Sequence, residues 1–357
     1  MKDLTLLPAH PSEGNFSMIR YWQIANEHLV GKDTDLEVSS FLPVEEAKFQ
    51  PAAPRLKRAL ERYWFFPRKV AGADLGDAVH LLDHSSAHLL TSVKSATKII
   101  ATVHDLIPLH YAQGLTNTQV ERFRRTVMNL ERADVILADS IATKDDVVNL
   151  LGIGAERVVV SPLGVSQNFN VSTDSSDGEG PDLHTVLSVG SALKRKNLEI
   201  LPEVLSALTA RVGKVRLVRV GDQLDMGLAS ELRSISNLEL LEEGRASDER
   251  LAQLYSECTA VFIPSLYEGF GLPVLEGMAA GAAVVCSNTT SLPEVGGDVA
   301  LYFDPNDPEE AADQLIKLCE DSVLRGDLAK RGRERASEFT WAKHFDHVRK
   351  IYRDQLS

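Results

Sequence analysis

Short β-rich runs alternate with amphipathic segments along almost the whole of this 357-residue chain. No other feature constrains the fold as much, because strands separated by helices close into parallel sheets covered on both faces. In the first half, strands are predicted at Leu4–Leu7, Ala78–Leu82, Ile99–Val103, Val135–Ala138 and Val158–Ser161. In the second half they fall at Thr185–Val189, Arg216–Val220, Leu238–Leu241, Ala260–Ile263 and Ala283–Cys286. Residues 118–133 read as a helix with Val120, Phe123, Val127 and Leu130 on one face. Residues 308–338 are also helical, and Trp341–Leu356 is a last helix with an aromatic face. Between the halves, STDSSDGEGPDLH (172–184) is polar and acidic, the composition of a linker. Two doubly wound α/β domains of about 170 residues each fit this length and place ligands beyond the carboxyl ends of their strands, in a cleft.

Charge and composition exclude several classes. With 38 Lys and Arg against 51 Asp and Glu, the formal charge is −13, which argues against nucleic acid as the main partner. Cys258, Cys286 and Cys319 lie far apart with no CxxC, so they read as reduced thiols of a cytoplasmic protein. The apolar run near the N-terminus is too short for a signal peptide, and no stretch reaches membrane-spanning length, so a soluble protein is expected. A dinucleotide oxidoreductase would share this architecture, but no GxGxxG follows a predicted strand.

The chemistry concentrates in IPSLYEGFGLPVLEGMAAGAAVVCSN, 263–288. It leaves a strand, passes through Gly269-Phe270-Gly271 and enters a helix at about Pro273, where proline suits the first turn. Free N–H groups at such a helix start form an anion site. Glu268 and Glu276 flank the turn, so each carboxylate can accept hydrogen bonds from a sugar on its side of a diphosphate. Taken alone, the pair would read as a surface glutamate and a helix-start glutamate favoured by the macrodipole.

Glu268 to Glu276, EGFGLPVLE, resembles the E-x7-E motif of the family-four glycosyltransferases. VHDLIPL (103–109), ADVILADS (133–140), RVVVSPLGV (157–165), VGSALKRKNLEIL (189–201) and SNTTSLPEVGGDVALYFDP (287–305) fall in that family's order and spacing. The resemblance runs from about residue 75 to 341 and implies a GT-B fold: two Rossmann-like domains with parallel sheets facing a central cleft. It implies an acceptor domain over 1–168, a linker at 169–181, a donor domain over 182–340, and a helix over 341–357 that returns to the first domain.

The resemblance also assigns roles. Glu276 would hold the nucleotide ribose and Glu268 the donor sugar, with the backbone of Gly269, Phe270, Gly271 and Leu272 lining sugar and diphosphate. Arg195 and Lys196 would neutralise the departing diphosphate, following Gly190 and Ser191 on the loop after the domain's first strand. Many members carry an arginine where this chain has Ser191, which shifts the burden to Arg195 and Lys196. His104 would donate a hydrogen bond near the transferred sugar or orient the acceptor. Gly14 would let its loop approach the diphosphate, and Gly244, Arg245 and Ala246 would border the base.

The implied reaction is metal-independent retaining transfer of a hexosyl unit from a nucleotide sugar to a hydroxyl of a glycan or lipid-linked acceptor, with no cofactor. GDP-mannose is the first donor expected, because the motif wording is nearest to bacterial mannosyltransferases. A non-catalytic sugar-binding protein of the same fold is the competing class.

Three further features remain. Asp33-Thr34-Asp35 has the form of a metal-binding DxD but falls in a turn towards a strand. His80, His84 and His88 have helical metal spacing, yet His80 falls in a predicted strand. RLKRALERYWFFPRK (55–69) sets six cations against one anion around four consecutive aromatics. Two readings stand for it: a peripheral contact with a membrane or lipid-linked acceptor at the inner face of the cell membrane, or a helix whose aromatics pack into the first domain.

Overall fold

The computed structural model describes residues 1–9, 16–33, 35–41, 59–94, 97–112, 114–170 and 183–357. The chain divides into two compact units, one of Met1–Pro162 with Trp341–Ser357 and one of Leu163–Thr340.

The first unit is built on β1 (Lys2–Leu7), β2 (Gly31–Lys32), β3 (Leu36–Ser40), β4 (Ala78–Leu81), β5 (Lys98–Val103), β6 (Val135–Ala138) and β7 (Val158–Val160). Their order is β2-β3-β1-β4-β5-β6-β7, with every neighbouring pair parallel except β2 with β3. The second unit holds β8 (His184–Gly190), β9 (Val215–Gly221), β10 (Leu238–Gly244), β11 (Ala260–Ile263), β12 (Val284–Ser287) and β13 (Ala300–Phe303). Its order is β10-β9-β8-β11-β12-β13, parallel throughout. Runs such as Ala78–Leu81, Val135–Ala138 and Ala260–Ile263 are buried at every position, as strands covered on both faces must be. The predicted strands are present, and β2, β3 and β13 are added to them.

Helices differ from expectation in two places. The segment over 118–133 is an α-helix only across Asn117–Val127, opened by a Thr116–Gln119 capping box, and then tightens into a 3-10 turn over Met128–Arg132. The segment over 308–338 breaks at Asp321, whose side chain accepts from the Leu324 N–H and starts a second helix, Ser322–Ala336.

The division between units also differs from the expected boundary, falling at Pro162 rather than 168. The Val165 N–H donates to the Phe339 carbonyl at 3.0 Å, and Val165 bridges Thr340, so this stretch is tied to the second unit. Phe169, placed in the linker by sequence, is buried against Tyr255, while 171–182 lie outside the described residues. The helix Trp341–Leu356 belongs to the first unit. It buries Phe345, Val348 and Tyr352 along one face, with Phe345 stacked on His28 at 5.2 Å.

Candidate active site

Because the second sheet is parallel, the loops after its strands leave from one edge. Gly190 ends β8, Gly244 ends β10, and the turn containing Glu268 to Gly271 follows β11. The predicted residues from Gly190 to Glu276 therefore gather at the carboxyl edge of one sheet, whereas Gly14 lies outside the described residues.

Arg195, Lys196 and Glu268, distant in sequence, form one cluster. Lys196 Nζ donates to Glu268 Oε1 at 2.5 Å and Arg195 Nη1 to Glu268 Oε2 at 3.0 Å. The Ser265 hydroxyl adds a third hydrogen bond at 2.7 Å. Glu268 is 7% exposed and Lys196 8%. Burial alone would raise the Glu268 carboxyl, but Lys196 and Arg195 outweigh it and hold it below the usual carboxylate range. Backbone bonds lock the two loops together: the Leu266 N–H meets the Arg195 carbonyl at 2.7 Å, and Arg195 Nη1 meets the Tyr267 carbonyl at 3.1 Å. The Thr290 hydroxyl accepts from the Glu268 N–H at 3.1 Å, and the Ser291 hydroxyl donates to its carbonyl at 3.0 Å. Two cations and a carboxylate are thereby fixed beside the turn that follows β11, an arrangement with little reorganisation left to make.

The helix Leu272–Ala280 begins directly after this cluster. Its N-cap, Gly271, sits at φ +106, and a Cβ there would lie 2.9 Å from Leu292 Cδ2, so the turn needs glycine. No side chain caps the helix start, and Pro273 occupies its first turn. Phe270 turns inward and packs edge-on against Phe339 at 6.2 Å, which leaves backbone as its contribution to the turn. Glu276 is half-buried one turn further on, and the buried Tyr255 hydroxyl donates to its Oε2 at 3.1 Å. Tyr255 belongs to the helix Asp248–Glu257, which follows Gly244–Ala246 directly, so one short element joins the expected base loop to the expected ribose carboxylate. Arg245 is exposed there, and Ala246 is half-buried.

In the first unit, His104 follows β5 and is buried. Its Nδ1 meets Asp139 Oδ2 at 2.7 Å and its Nε2 the Leu82 carbonyl at 3.0 Å. Neither a carbonyl nor an ionised carboxylate has a proton to give, so both ring nitrogens donate and the ring is an imidazolium. Burial would lower its pKa; the Asp139 charge and hydrogen bond prevail and raise it to about 9. This qualifies the sequence expectation, since both ring N–H groups are spent inside the unit. A hydrogen bond from this ring to a ligand requires release of the Leu82 carbonyl.

Sequence reasoning gave no role to Tyr255, Asp139, Ser265 or Thr290, which hold the expected residues in place. Asp139 stood inside a quoted motif, and Ser265 precedes Glu268 by three positions in the same loop; Tyr255 carried no linear signal. The residues with metal-like spacing have other partners. Asp33 and Asp35 both pair with Arg353, Asp35 at 3.4 Å. His80 lies in β4, its ring held by Tyr352 at 2.5 Å and Thr102 at 2.8 Å. Of the basic aromatic segment, Phe66 enters the core, whereas Trp64 is 53% and Phe65 49% exposed. Arg68 stacks over the Trp64 ring at 3.5 Å. Residues 55–58 lie outside the described residues. Among the described residues, no helix is long and apolar enough to cross a membrane.

Two α/β units, the second with a glycine turn and a helix start at the carboxyl edge of a parallel sheet, make the GT-B class of fold. Solved structures agree. HepE of Anabaena, in complex with UDP and glucose, matches with a TM-score of 0.73 at 18% identity over 99% of this chain and 100% of that one. Sucrose-phosphate synthase of Thermosynechococcus elongatus matches with a TM-score of 0.75 at 19% identity over 100% and 99%. The chain belongs to the family-four glycosyltransferases: the model for glycosyltransferase family 4 matches residues 31–169 and that for glycosyl transferases group 1 matches residues 174–335. It is 30% identical to the serotype-specific mannosyltransferase WbdA of Escherichia coli, over 82% of this chain. It spans 39% of the length of that relative. It is also 27% identical to the O-antigen chain mannosyltransferase B of Escherichia coli, over 68% of this chain and 67% of the relative.

Proposed function

We propose that this chain is a retaining hexosyltransferase that carries mannose from GDP-mannose to a hydroxyl of a glycan or lipid-linked acceptor, without a metal. The observation that carries this reading is the Arg195–Lys196–Glu268 cluster beside the uncapped start of helix Leu272–Ala280. The names of the two mannosyltransferase relatives support the choice of sugar. In this reading the bond from the anomeric carbon to the diphosphate breaks while the acceptor oxygen bonds to the same face. The acceptor proton passes to the departing phosphate oxygen. Arg195 and Lys196 stabilise the charge that grows on the diphosphate, with Glu268 holding both cations in place. Glu276 takes the ribose hydroxyls, the loop Gly244–Ala246 borders the base, and the first unit, with His104, takes the acceptor.

The test incubates the protein with GDP-mannose, octyl α-mannoside and EDTA, and reads the product's anomeric configuration by proton NMR. An α-linked product is expected. A β-linked product, or transfer that stops when EDTA is added, overturns the mechanism; GDP binding with no turnover favours a non-catalytic binding protein.

We also propose cytoplasmic residence with peripheral membrane contact through the exposed Leu60, Trp64 and Phe65, with Arg68 and Lys69 nearby. Sedimentation with phosphatidylglycerol vesicles is expected for the wild type and lost in Trp64→Ser/Phe65→Ser. Equal sedimentation of both proteins contradicts the contact.

A further inference from the structure

Strand β9 carries a cation in a place where its neighbours are apolar. Arg219 is 1% exposed and heads the fully buried side chains by volume among the described residues. One position along the same face, Leu217 belongs to the unit's hydrophobic core. Burying a guanidinium is costly unless its donors are met. Here Nη1 donates to the carbonyls of Ser188 at 3.1 Å and Val220 at 2.6 Å, and Nη2 to those of Gly190 at 2.5 Å and Ser191 at 2.9 Å, so the two Nη groups are met while the buried Nε has no hydrogen-bond partner. Three of these four acceptors belong to the end of β8 and the turn after it, which leads to Arg195 and Lys196.

The turn is tight on every side. Arg219 stands opposite Ser188 and Gly221 opposite Gly190 in the β8–β9 register. A Cβ on Gly221, at φ +123, would lie 2.0 Å from the Gly190 oxygen. Gly190 is at φ +133, and Lys196 Cε lies 3.4 Å from where its Cβ would be. Lys196 thus meets Gly190 at its Cα while Arg219 meets it at its carbonyl. A carbonyl oxygen turned towards a diphosphate would repel it. The planar fork of Arg219 instead draws the carbonyls of Gly190 and Ser191 into the domain. It also places a fixed positive charge behind the turn.

We propose that Arg219 is a positioning residue for the donor diphosphate, acting through the carbonyls of Gly190 and Ser191 and through the placement of Lys196. The proposal rests on the donor-site reading above. It predicts a defect in donor binding beyond what loss of core packing causes, so Leu217→Ala serves as the packing control.

GDP and UDP affinities are measured by calorimetry for wild type, Glu276→Ala, Leu217→Ala, Arg219→Met and Arg219→Lys, with melting temperatures alongside. Arg219→Met is expected to bind the preferred nucleotide about 10- to 100-fold more weakly, the scale of lost charge-assisted hydrogen bonds. Arg219→Lys, which keeps the charge without the fork, should fall between that variant and wild type. Leu217→Ala should lose melting temperature but bind within about threefold of wild type. If Arg219→Met does not fold, Arg219→Lys alone decides, with a loss of at least about fivefold expected. The proposal is overturned if the folded Arg219 variants bind as Leu217→Ala does. If the wild type binds neither nucleotide, or Glu276→Ala binds as the wild type does, the donor-site reading itself has failed.

Discussion

Lys196→Ala is expected to lower kcat for sugar transfer by about 100- to 1000-fold, the cost of removing one preorganised donor from a transition-state site. The Lys196 stem lies against Gly190 and its ammonium ends 2.5 Å from Glu268 Oε1, so truncation removes both the charge and its contact with the turn. The fold should survive, because Glu268 keeps Arg195 at 3.0 Å and Ser265 at 2.7 Å and is not left as an unpaired buried charge. If the interaction belongs to the transition state, kcat and kcat/KM for the donor fall together. Steady-state kinetics with a fixed acceptor separates the outcomes: a drop of less than about tenfold contradicts the role given to Lys196.

Stability of the first unit should be greatest near pH 6.5 and decline on both sides, with Asp139→Asn abolishing the alkaline limb. His104, raised to about 9 in the folded chain, binds its proton more tightly than an unfolded histidine near 6.5. Its contribution is therefore fully present below pH 6.5 and is lost as pH rises through 9, an effect on the order of 3 kcal/mol. His80 and His344 act in the opposite direction. Burial lowers His80 to about 3 and His344 to about 4, so the unfolded chain takes up their protons first. Each removes stability as pH falls below 6.5, down to its folded value. Denaturant unfolding followed from pH 4 to 9 would show the maximum. The same alkaline slope in wild type and Asp139→Asn would refute the imidazolium assignment.

Most of the fold was legible because most of the buried parallel strands are short apolar runs, several of them β-branched, that can be read without their neighbours. Val135–Ala138 and Ala260–Ile263 fall at their predicted positions for that reason. The break at Asp321 was not legible: neither glycine nor proline marks it, and only the side-chain cap to Leu324 ends one helix and begins another. The site divided in the same way. Glu268 and Glu276 share one linear motif with a turn between them, and three consecutive cations stand together at 194–196, in a 3-10 turn after β8. The residues that hold these groups depend on register and helix placement. Arg219 matters because β9 pairs with β8 so that it faces Ser188, and Tyr255 because its helix brings a hydroxyl to Glu276. The two arginines inside the run VRLVRVG were the available signal, since a buried strand tolerates arginine only with most of its donors met. Asp33 and Asp35 gave the reverse lesson, because their spacing suggested a metal while Arg353, more than 300 positions later, takes both.

The central claim is that Glu268 to Glu276 and the turn between them bind the nucleotide diphosphate of a sugar donor. Calorimetric titration of GDP and UDP into wild type and Glu276→Ala, with EDTA present, tests it most directly. Saturable binding of one nucleotide to the wild type is expected, weakened at least about tenfold in Glu276→Ala by loss of hydrogen bonds to a charged acceptor. Absence of binding to the wild type, or equal affinity in both proteins, would contradict it.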